Sequence, residues 1–211
     1  AAVIEAGGIP IIANIDEQLG ISPEETRSLI SDRTRAIIPV HMDGLSANMD
    51  EIMKIAKEFN LMVIEDVAQA VGGSYRGKRL GSIGNFGCYS FNVDKIISSG
   101  EGGALIMNDE VHDQRSFLFH DTCSQFGETK KDLFNLVEPF IGKSMRVSEL
   151  TGAVLRVQLK NMICYLLKLP STTLSNGRNM HGMFMPGGPI KQLKKILKNS
   201  FITSLIWRRI M

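Results

Sequence analysis

Short apolar runs alternate with helix-start signals over the first 110 residues of this 211-residue chain. Residues 9–15, 35–40 and 61–64 are mostly apolar and predict three buried strands. Ser22-Pro23-Glu24-Glu25 and Asn48-Met49-Asp50-Glu51 each place a capping residue before acidic ones, and predict helices that begin there. Strands that alternate with helices need right-handed crossovers, so the sequence predicts a three-layer α/β/α fold with a mostly parallel sheet.

Further elements are predicted up to residue 162. Residues 72–103 are rich in glycine, and the glycines from Gly72 to Gly87 predict turns in a hairpin. Residues 86–91 and 104–107 predict strands, and residues 109–119 predict a helix. Residues 148–162 predict another helix, with its apolar side formed by Leu150, Val154, Leu155 and Leu159. Ligands of such sheets bind beyond the carboxyl ends of the strands, which makes Asp66 a candidate site residue.

The net charge of +2 hides an uneven distribution. Residues 1–162 hold 16 basic and 22 acidic side chains, a net of −6, whereas residues 163–211 hold eight basic and no acidic ones, a net of +8. No apolar run reaches the roughly 18 residues of a membrane helix. The three cysteines are far apart, so we expect free thiols in a reducing cytosol rather than disulfides or a zinc site.

Six sequence blocks follow one another in an order that is specific to one family. The blocks are Arg35–His41, Val63–Ala70, Gly81–Gly84, Ser90–Lys95, Gly100–Gly103 and Arg146–Leu150. Together they resemble the DegT/DnrJ/EryC1/StrS family of sugar aminotransferases, which depend on pyridoxal phosphate, over roughly residues 1–162. The resemblance implies the large domain of a fold-type I transferase.

The resemblance also assigns roles to individual residues. Lys95 is the lysine that forms the Schiff base with the cofactor and moves the substrate's Cα proton. Asp66 holds the proton on the cofactor's ring nitrogen, Gln69 contacts the ring's hydroxyl side, and Ser90 contacts the phosphate. Lys at position 95 favours amino transfer, because a sister branch that dehydrates sugars has His there. His41 matches a position near the site, and a structural role at the end of a strand is the alternative.

Substrates and partners follow from the resemblance alone. It implies transfer of an amino group from Glu or Gln to a keto-sugar, either a nucleotide-linked sugar or a cyclitol, in amino-sugar and polysaccharide biosynthesis. It further implies a cytoplasmic homodimer with no metal, no nucleic-acid partner and no membrane partner. An inactive piece of such an enzyme is the alternative. His112, His120 and His181 are expected at the surface.

The sequence departs from the family pattern in three places. The pattern normally begins before Ala1, and it commonly has Asn where Ser144 stands, a residue that reaches the partner subunit's phosphate. It ends near Met162, so we expect residues 1–162 to be part of a cofactor-binding large domain and residues 163–211 to be a basic tail outside the family. A shifted reading frame would explain this tail. The alternative is a genuine basic tail that binds a membrane or a nucleic acid.

Overall fold

The computed structural model describes residues 1–17, 19–123 and 136–166, with side chains up to residue 162. Its strands are β1 (Ala36–Ile37), β2 (Met62–Asp66), β3 (Ser74–Tyr75), β4 (Lys78–Arg79), β5 (Phe86–Ser90) and β6 (Gly103–Met107). The main sheet has the order β1-β2-β5-β6, with β1, β2 and β5 parallel and β6 antiparallel. Strands β3 and β4 form a hairpin within residues 72–87, where the glycines predict hairpin turns.

Five helices are described: α1 (Ala2–Glu5), α2 (Pro23–Leu29), α3 (Met49–Glu58), α4 (Glu110–His120) and α5 (Glu149–Leu166). Ser22 caps α2 as predicted, since its hydroxyl oxygen accepts the Glu25 N–H at 3.3 Å. α3 also begins where predicted, but the expected cap by Asn48 is wrong. The Asn48 side chain instead accepts a hydrogen bond from the Tyr75 hydroxyl at 3.4 Å.

Helices cover both faces of the main sheet. Buried Val63 of β2 lies in the same core as the buried side of α3. Phe86 is the register partner of Ile64, so these two residues share the opposite face. The Phe86 ring contacts the His112 ring of α4, with centroids 5.1 Å apart. The sheet therefore lies between α3 and α4, and the predicted three-layer fold is confirmed.

The predicted strand over residues 9–15 is wrong. This segment lies outside the main sheet, and Ile9 and Ile12 are 78% and 84% exposed. Within the described residues it forms a single antiparallel bridge, between Ile15 and Ile21. Pro10 lacks an N–H for a ladder, and no described strand lies beside the run to bury it. An apolar composition predicts a strand only where a neighbouring strand is available.

The predicted apolar side of α5 is also wrong in part. Leu155 is buried, whereas Leu150 is 79% exposed and Val154 is exposed as well. Successive helical residues turn by about 100°, so Leu155 lies well away from Val154 around the axis. Leu155 faces the core together with Leu159 and Met162.

The sequence also made predictions for the histidines and the cysteines. His120 was expected at the surface but is buried, and its Nδ1 lies 2.7 Å from the Phe117 carbonyl oxygen. Cys88 and Cys123 are free thiols, as predicted. No helix among the described residues is long and apolar enough to cross a membrane. His181 and all but the first four residues of the basic tail lie outside the described part of the chain.

Candidate active site

The carboxyl ends of β1, β2 and β5 meet at one edge of the main sheet. Asp66 is the last residue of β2, where it pairs with Val40 on one side and Cys88 on the other. Gln69 follows three residues later, Ser90 ends β5, and Lys95 lies in the loop after β5. The structure therefore brings the four predicted site residues to the same edge of the sheet, although none hydrogen-bonds to another.

Asp66 is fixed by its backbone and by one carboxylate oxygen. Its carbonyl accepts the His41 N–H at 3.0 Å, and its own N–H donates to the Pro39 carbonyl at 2.9 Å. Its Oδ1 accepts the Ala68 N–H at 3.0 Å. The second oxygen, Oδ2, has no hydrogen-bond partner among the described residues. The strand end thus presents a half-buried carboxylate with one free oxygen.

Gln69 connects two segments at this edge. Its Oε1 accepts the N–H of Asp43 at 3.0 Å. Asp43 lies in the short 3-10 turn Met42–Gly44 and has a left-handed backbone, with φ of 49°. The exposed amide NH2 of Gln69 donates to no other described residue. This side chain therefore keeps two donor hydrogens for a ligand.

Ser90 and Lys95 lie at the two ends of one turn. The Ser90 hydroxyl oxygen accepts the Asn92 N–H at 3.4 Å, and the Lys95 N–H donates to the Asn92 carbonyl at 3.1 Å. Lys95 is half-buried, whereas the flanking Val93 and Ile96 are 66% and 57% exposed. The Lys95 ammonium has neither a hydrogen bond nor an ion pair within the part of the chain that the structure describes.

The four site residues share one property. Each is positioned through a hydrogen bond of its own backbone or side chain, and each has a polar group without a partner among the described residues: an amine, a carboxylate oxygen, an amide NH2 and a hydroxyl hydrogen. Free groups of this kind at the carboxyl edge of a parallel sheet are available to a ligand.

Glu65, which the sequence did not single out, organises the structure beneath this edge. Its side chain is fully buried. Oε2 accepts the Gly81 N–H at 2.8 Å and lies 3.0 Å from Nε2 of His41. Oε1 accepts the N–H groups of Ile83 and Gly84 at 2.7 and 2.6 Å. A charged residue inside a buried strand was the available signal, but its partners are visible only in the fold.

The sequence left two roles open for His41, one near the site and one structural, and the structure shows the structural one. Its Nδ1 accepts the Ala47 N–H at 3.1 Å, so the ring hydrogen lies on Nε2 and is donated to Glu65. The ring is completely buried. His41 therefore locks the segment that follows β1 to the end of β2, next to Asp66.

Cys88 and Tyr89 of β5 and Arg79 of β4 have shifted pKa values. Burial raises the pKa of the Cys88 thiol to about 11, and the carboxylates of Asp66 and Glu65 add to this effect. Burial, and then the charge of Glu65, raises the pKa of Tyr89, whose hydroxyl donates to the Leu80 carbonyl at 2.7 Å. Burial lowers the pKa of Arg79 to about 10, so the guanidinium stays charged at neutral pH. Cys88 is consequently a neutral thiol and a poor nucleophile at this edge.

The chain thus has the α/β/α class of fold, in which ligands bind at the carboxyl edge of the sheet. The sequence identifies the family within that class. Residues 1–165 match the DegT/DnrJ/EryC1/StrS aminotransferase family, and the chain belongs to this family.

Known relatives match the chain over part of their length. GDP-perosamine synthase of Caulobacter vibrioides is 42% identical over 110 residues, which are 52% of this chain and 30% of that protein. L-glutamine:2-deoxy-scyllo-inosose aminotransferase of Streptomyces fradiae is 35% identical over 164 residues, or 75% of this chain and 39% of that protein. The solved aminotransferase of Psychrobacter cryohalolentis is 34% identical with a TM-score of 0.70, and 77% of this chain covers 43% of it. The chain thus spans less than half the length of these relatives.

Proposed function

We propose that the protein is an aminotransferase that depends on pyridoxal phosphate and moves an amino group from Glu or Gln to a keto-sugar. The acceptor is a nucleotide-linked sugar or a cyclitol, in the biosynthesis of amino sugars and polysaccharides. Family membership supports this proposal, and so do the names of the relatives, which include a GDP-sugar synthase and a glutamine-dependent cyclitol aminotransferase. Lys rather than His at position 95 supports amino transfer over sugar dehydration.

The main support for this proposal is the set of polar groups at the sheet edge that have no partner among the described residues. Pyridoxal phosphate has an aldehyde, a basic ring nitrogen, a ring oxygen and a phosphate, which call for an amine, a carboxylate and hydrogen-bond donors. Lys95, Asp66, Gln69 and Ser90 hold one group of each required kind, each without a partner in the described structure. The residues present therefore fit this cofactor.

Each residue would then have a defined task. Bound cofactor supplies an electron sink for the substrate carbon that loses its proton. Lys95 Nζ takes the proton from that carbon and delivers it in the reverse half-reaction. Asp66 Oδ2 holds a proton on the ring nitrogen, the Gln69 amide donates to the ring oxygen, and the Ser90 hydroxyl donates to the phosphate.

A homodimer in the cytoplasm is part of the same proposal. Leu150, Val154 and Val157 are exposed and lie along one side of α5, at positions i, i+4 and i+7. An apolar stripe of this kind is typical of a surface that another protein covers. The two free thiols, Cys88 and Cys123, agree with a reducing compartment.

Borohydride reduction tests the cofactor assignment directly. The chain is incubated with pyridoxal phosphate, reduced and digested, and the modified lysine is located by mass spectrometry. We expect the pyridoxyl group on Lys95, no modification at that position in Lys95→Arg, and unchanged labelling in the control Lys57→Arg. Labelling spread over surface lysines, with Lys95→Arg reacting as the unsubstituted chain does, would contradict the proposal.

Amino transfer itself needs a separate assay. Glutamate or glutamine is supplied with a panel of keto-sugars, and release of the corresponding oxo acid is followed together with amination of the sugar. We expect Lys95→Arg to abolish the reaction and Asp66→Asn to slow it by about 100-fold or more, since Asp66 keeps the ring nitrogen protonated. Loss of a sugar hydroxyl without gain of an amine would instead indicate the dehydrating branch.

A further inference from the structure

The loop that carries Lys95 is closed by a pair of side chains, Asn92 and Glu101. We propose that Asn92 and Glu101 are positioning residues that hold Lys95 at the carboxyl edge of the sheet, ready to react with an aldehyde. The inference rests on the proposed role of Lys95. It adds two residues to the site that touch neither cofactor nor substrate and act through the shape of the loop.

Asn92 makes four hydrogen bonds within this loop. Its side-chain NH2 donates to Oε1 of Glu101 at 3.0 Å, across nine positions of the chain. Its Oδ1 accepts the Asp94 N–H at 3.3 Å, and its carbonyl accepts the Lys95 N–H at 3.1 Å. Its own N–H donates to the Ser90 hydroxyl oxygen at 3.4 Å. One residue thus connects the strand end, the turn that contains Lys95 and the returning end of the loop.

The returning end is equally well fixed. The Phe91 N–H donates to the Gly102 carbonyl at 2.9 Å, and the Ser99 N–H donates to the Phe91 carbonyl at 3.0 Å. The Ser99 hydroxyl donates to the Glu101 carbonyl at 2.9 Å. The φ angle of Gly100 is +84°, in the left-handed region that favours glycine. Glu101 is therefore held in place as an acceptor for Asn92.

Lys95 lies between two buried anchors of this loop. Phe91 and Ile97 are 3% exposed and belong to the core that α5 covers. Residues 92–96 between these anchors are half-buried or exposed. The Asn92–Glu101 bond ties this segment to the returning end of the loop, in addition to the backbone bonds at Phe91. Closing a loop removes conformational freedom before a ligand arrives. The bond therefore confines the Lys95 side chain to the site, so that its neutral amine attacks a bound aldehyde faster.

A donor-acceptor exchange tests the pair. Asn92→Asp places two carboxylates in contact, so the bond is lost. Glu101→Gln alone keeps an oxygen that accepts the Asn92 NH2. Asn92→Asp combined with Glu101→Gln restores a hydrogen bond in which Gln donates and Asp accepts. Asn108→Asp is the matched control, because Asn108 is exposed and its side chain hydrogen-bonds to no described residue.

Two measurements are made on all five chains. The first is hydrogen exchange of the Asp94 and Lys95 amides without cofactor. The second is the rate at which pyridoxal phosphate becomes fixed on Lys95 by borohydride. We expect Asn92→Asp to raise exchange and to slow fixation by about tenfold each, the effect of losing one hydrogen bond. The single change Glu101→Gln, the double variant and the control should stay within about twofold of the unsubstituted chain.

The possible outcomes separate this inference from the proposed function. Unchanged exchange and fixation in Asn92→Asp would overturn the inference, and so would a double variant no better than Asn92→Asp alone. Absence of cofactor on Lys95 in the unsubstituted chain would overturn the proposed function instead. Acetylation of Lys95 by acetic anhydride then replaces fixation as the second measurement, with the same pattern expected across the five chains.

Discussion

Glu65 concentrates four hydrogen bonds on a carboxylate that has no contact with solvent. Two of its bonds, from Ile83 and Gly84, hold the turn that crosses the sheet after β4. The other two come from Gly81 and His41 and join that turn to the segment after β1. Removal of the carboxylate would leave several buried donors unsatisfied, each at a cost in stability. The hydrogen bonds of Glu65 therefore fix the backbone next to Asp66.

Glu65→Gln should therefore destabilise the protein strongly despite the similar size of the two side chains. In this variant an amide NH2 replaces one carboxylate oxygen, so two N–H donors lose their acceptor. The negative charge that accepts the hydrogen bond from the buried His41 is also lost. We expect the free energy of unfolding to fall by about 3 kcal/mol, because buried N–H donors lose their acceptor. Urea unfolding measures it, with Glu17→Gln as the control because Glu17 is exposed. Equal stability of Glu65→Gln and the unsubstituted chain would contradict this account.

The Cys88 thiol gives a prediction that depends on pH. Its pKa is raised from 9.0 to about 11, chiefly by burial. A raised pKa means that the fold favours the neutral thiol, so this stabilisation is complete below pH 9 and declines as the pH rises towards 11. At pH 8 the folded chain should hold about 100-fold less Cys88 thiolate than the unfolded chain.

Alkylation by iodoacetamide checks this prediction. The Cys88 peptide is quantified by mass spectrometry at pH 8 in the folded chain and again in urea, and we expect Cys88 to react about 100-fold faster in urea. In Cys88→Ala, the extra loss of stability between pH 9 and 11 should disappear. Equal alkylation rates for Cys88 in the two conditions would show that the fold does not raise its pKa.

Part of the candidate site could be predicted from the sequence. The short blocks around Asp66 and Lys95 mark both residues, and the fold brings them to one edge. The sequence did not predict the roles of Glu65 and Asn92, because these roles depend on the residues to which each hydrogen-bonds. These partners are the N–H groups of a distant turn for Glu65, and Glu101, nine residues further on, for Asn92. Such partnerships depend on chain crossings that local patterns do not encode.

At the scale of elements, β5 depends on a close approach of two backbones. A Cβ at Gly87 would collide with the Gly81 backbone, because the turn after β4 lies directly on the strand. Gly152 in α5 is the opposite case, since a Cβ there would meet nothing within 4 Å. The two glycines therefore serve different purposes, and the same substitution should have opposite effects.

Gly87→Ala should lower the free energy of unfolding by about 3 kcal/mol or prevent folding, as overpacking against backbone does. Gly152→Ala should raise it by about 1 kcal/mol, because alanine is the better helix former and the site is open. Thermal unfolding followed by circular dichroism measures both variants. A stable Gly87→Ala protein would mean that the turn does not lie on β5.

The helix after Ser22 was predicted well because its signals are local, whereas two segments whose burial depends on a neighbour were predicted wrongly. Ser22 and the helix after it need only their own residues, and both are confirmed. The apolar run at residues 9–15 needs a second strand, and no described strand lies beside it. The inward side of α5 was misjudged because Leu150 is apolar yet exposed.

At the scale of the whole molecule, α5 carries apolar surface on two sides. Leu155 faces the core, whereas Leu150, Val154 and Val157 face outwards. The outward stripe is continuous over two turns of the helix. A second copy of the chain would bury it, in agreement with the proposed homodimer.

Leu150→Glu combined with Val154→Glu should disrupt that dimer. Two carboxylates in an apolar contact lose their hydration, so we expect the dissociation constant to rise by about 100-fold or more. Light scattering over a range of concentrations measures the mass, and Val111→Glu on α4 is the control because Val111 is also exposed. The unsubstituted and control chains should share one dissociation constant. If the double variant shares it too, the dimer forms through another surface, whereas a chain that is monomeric without substitution contradicts the homodimer itself.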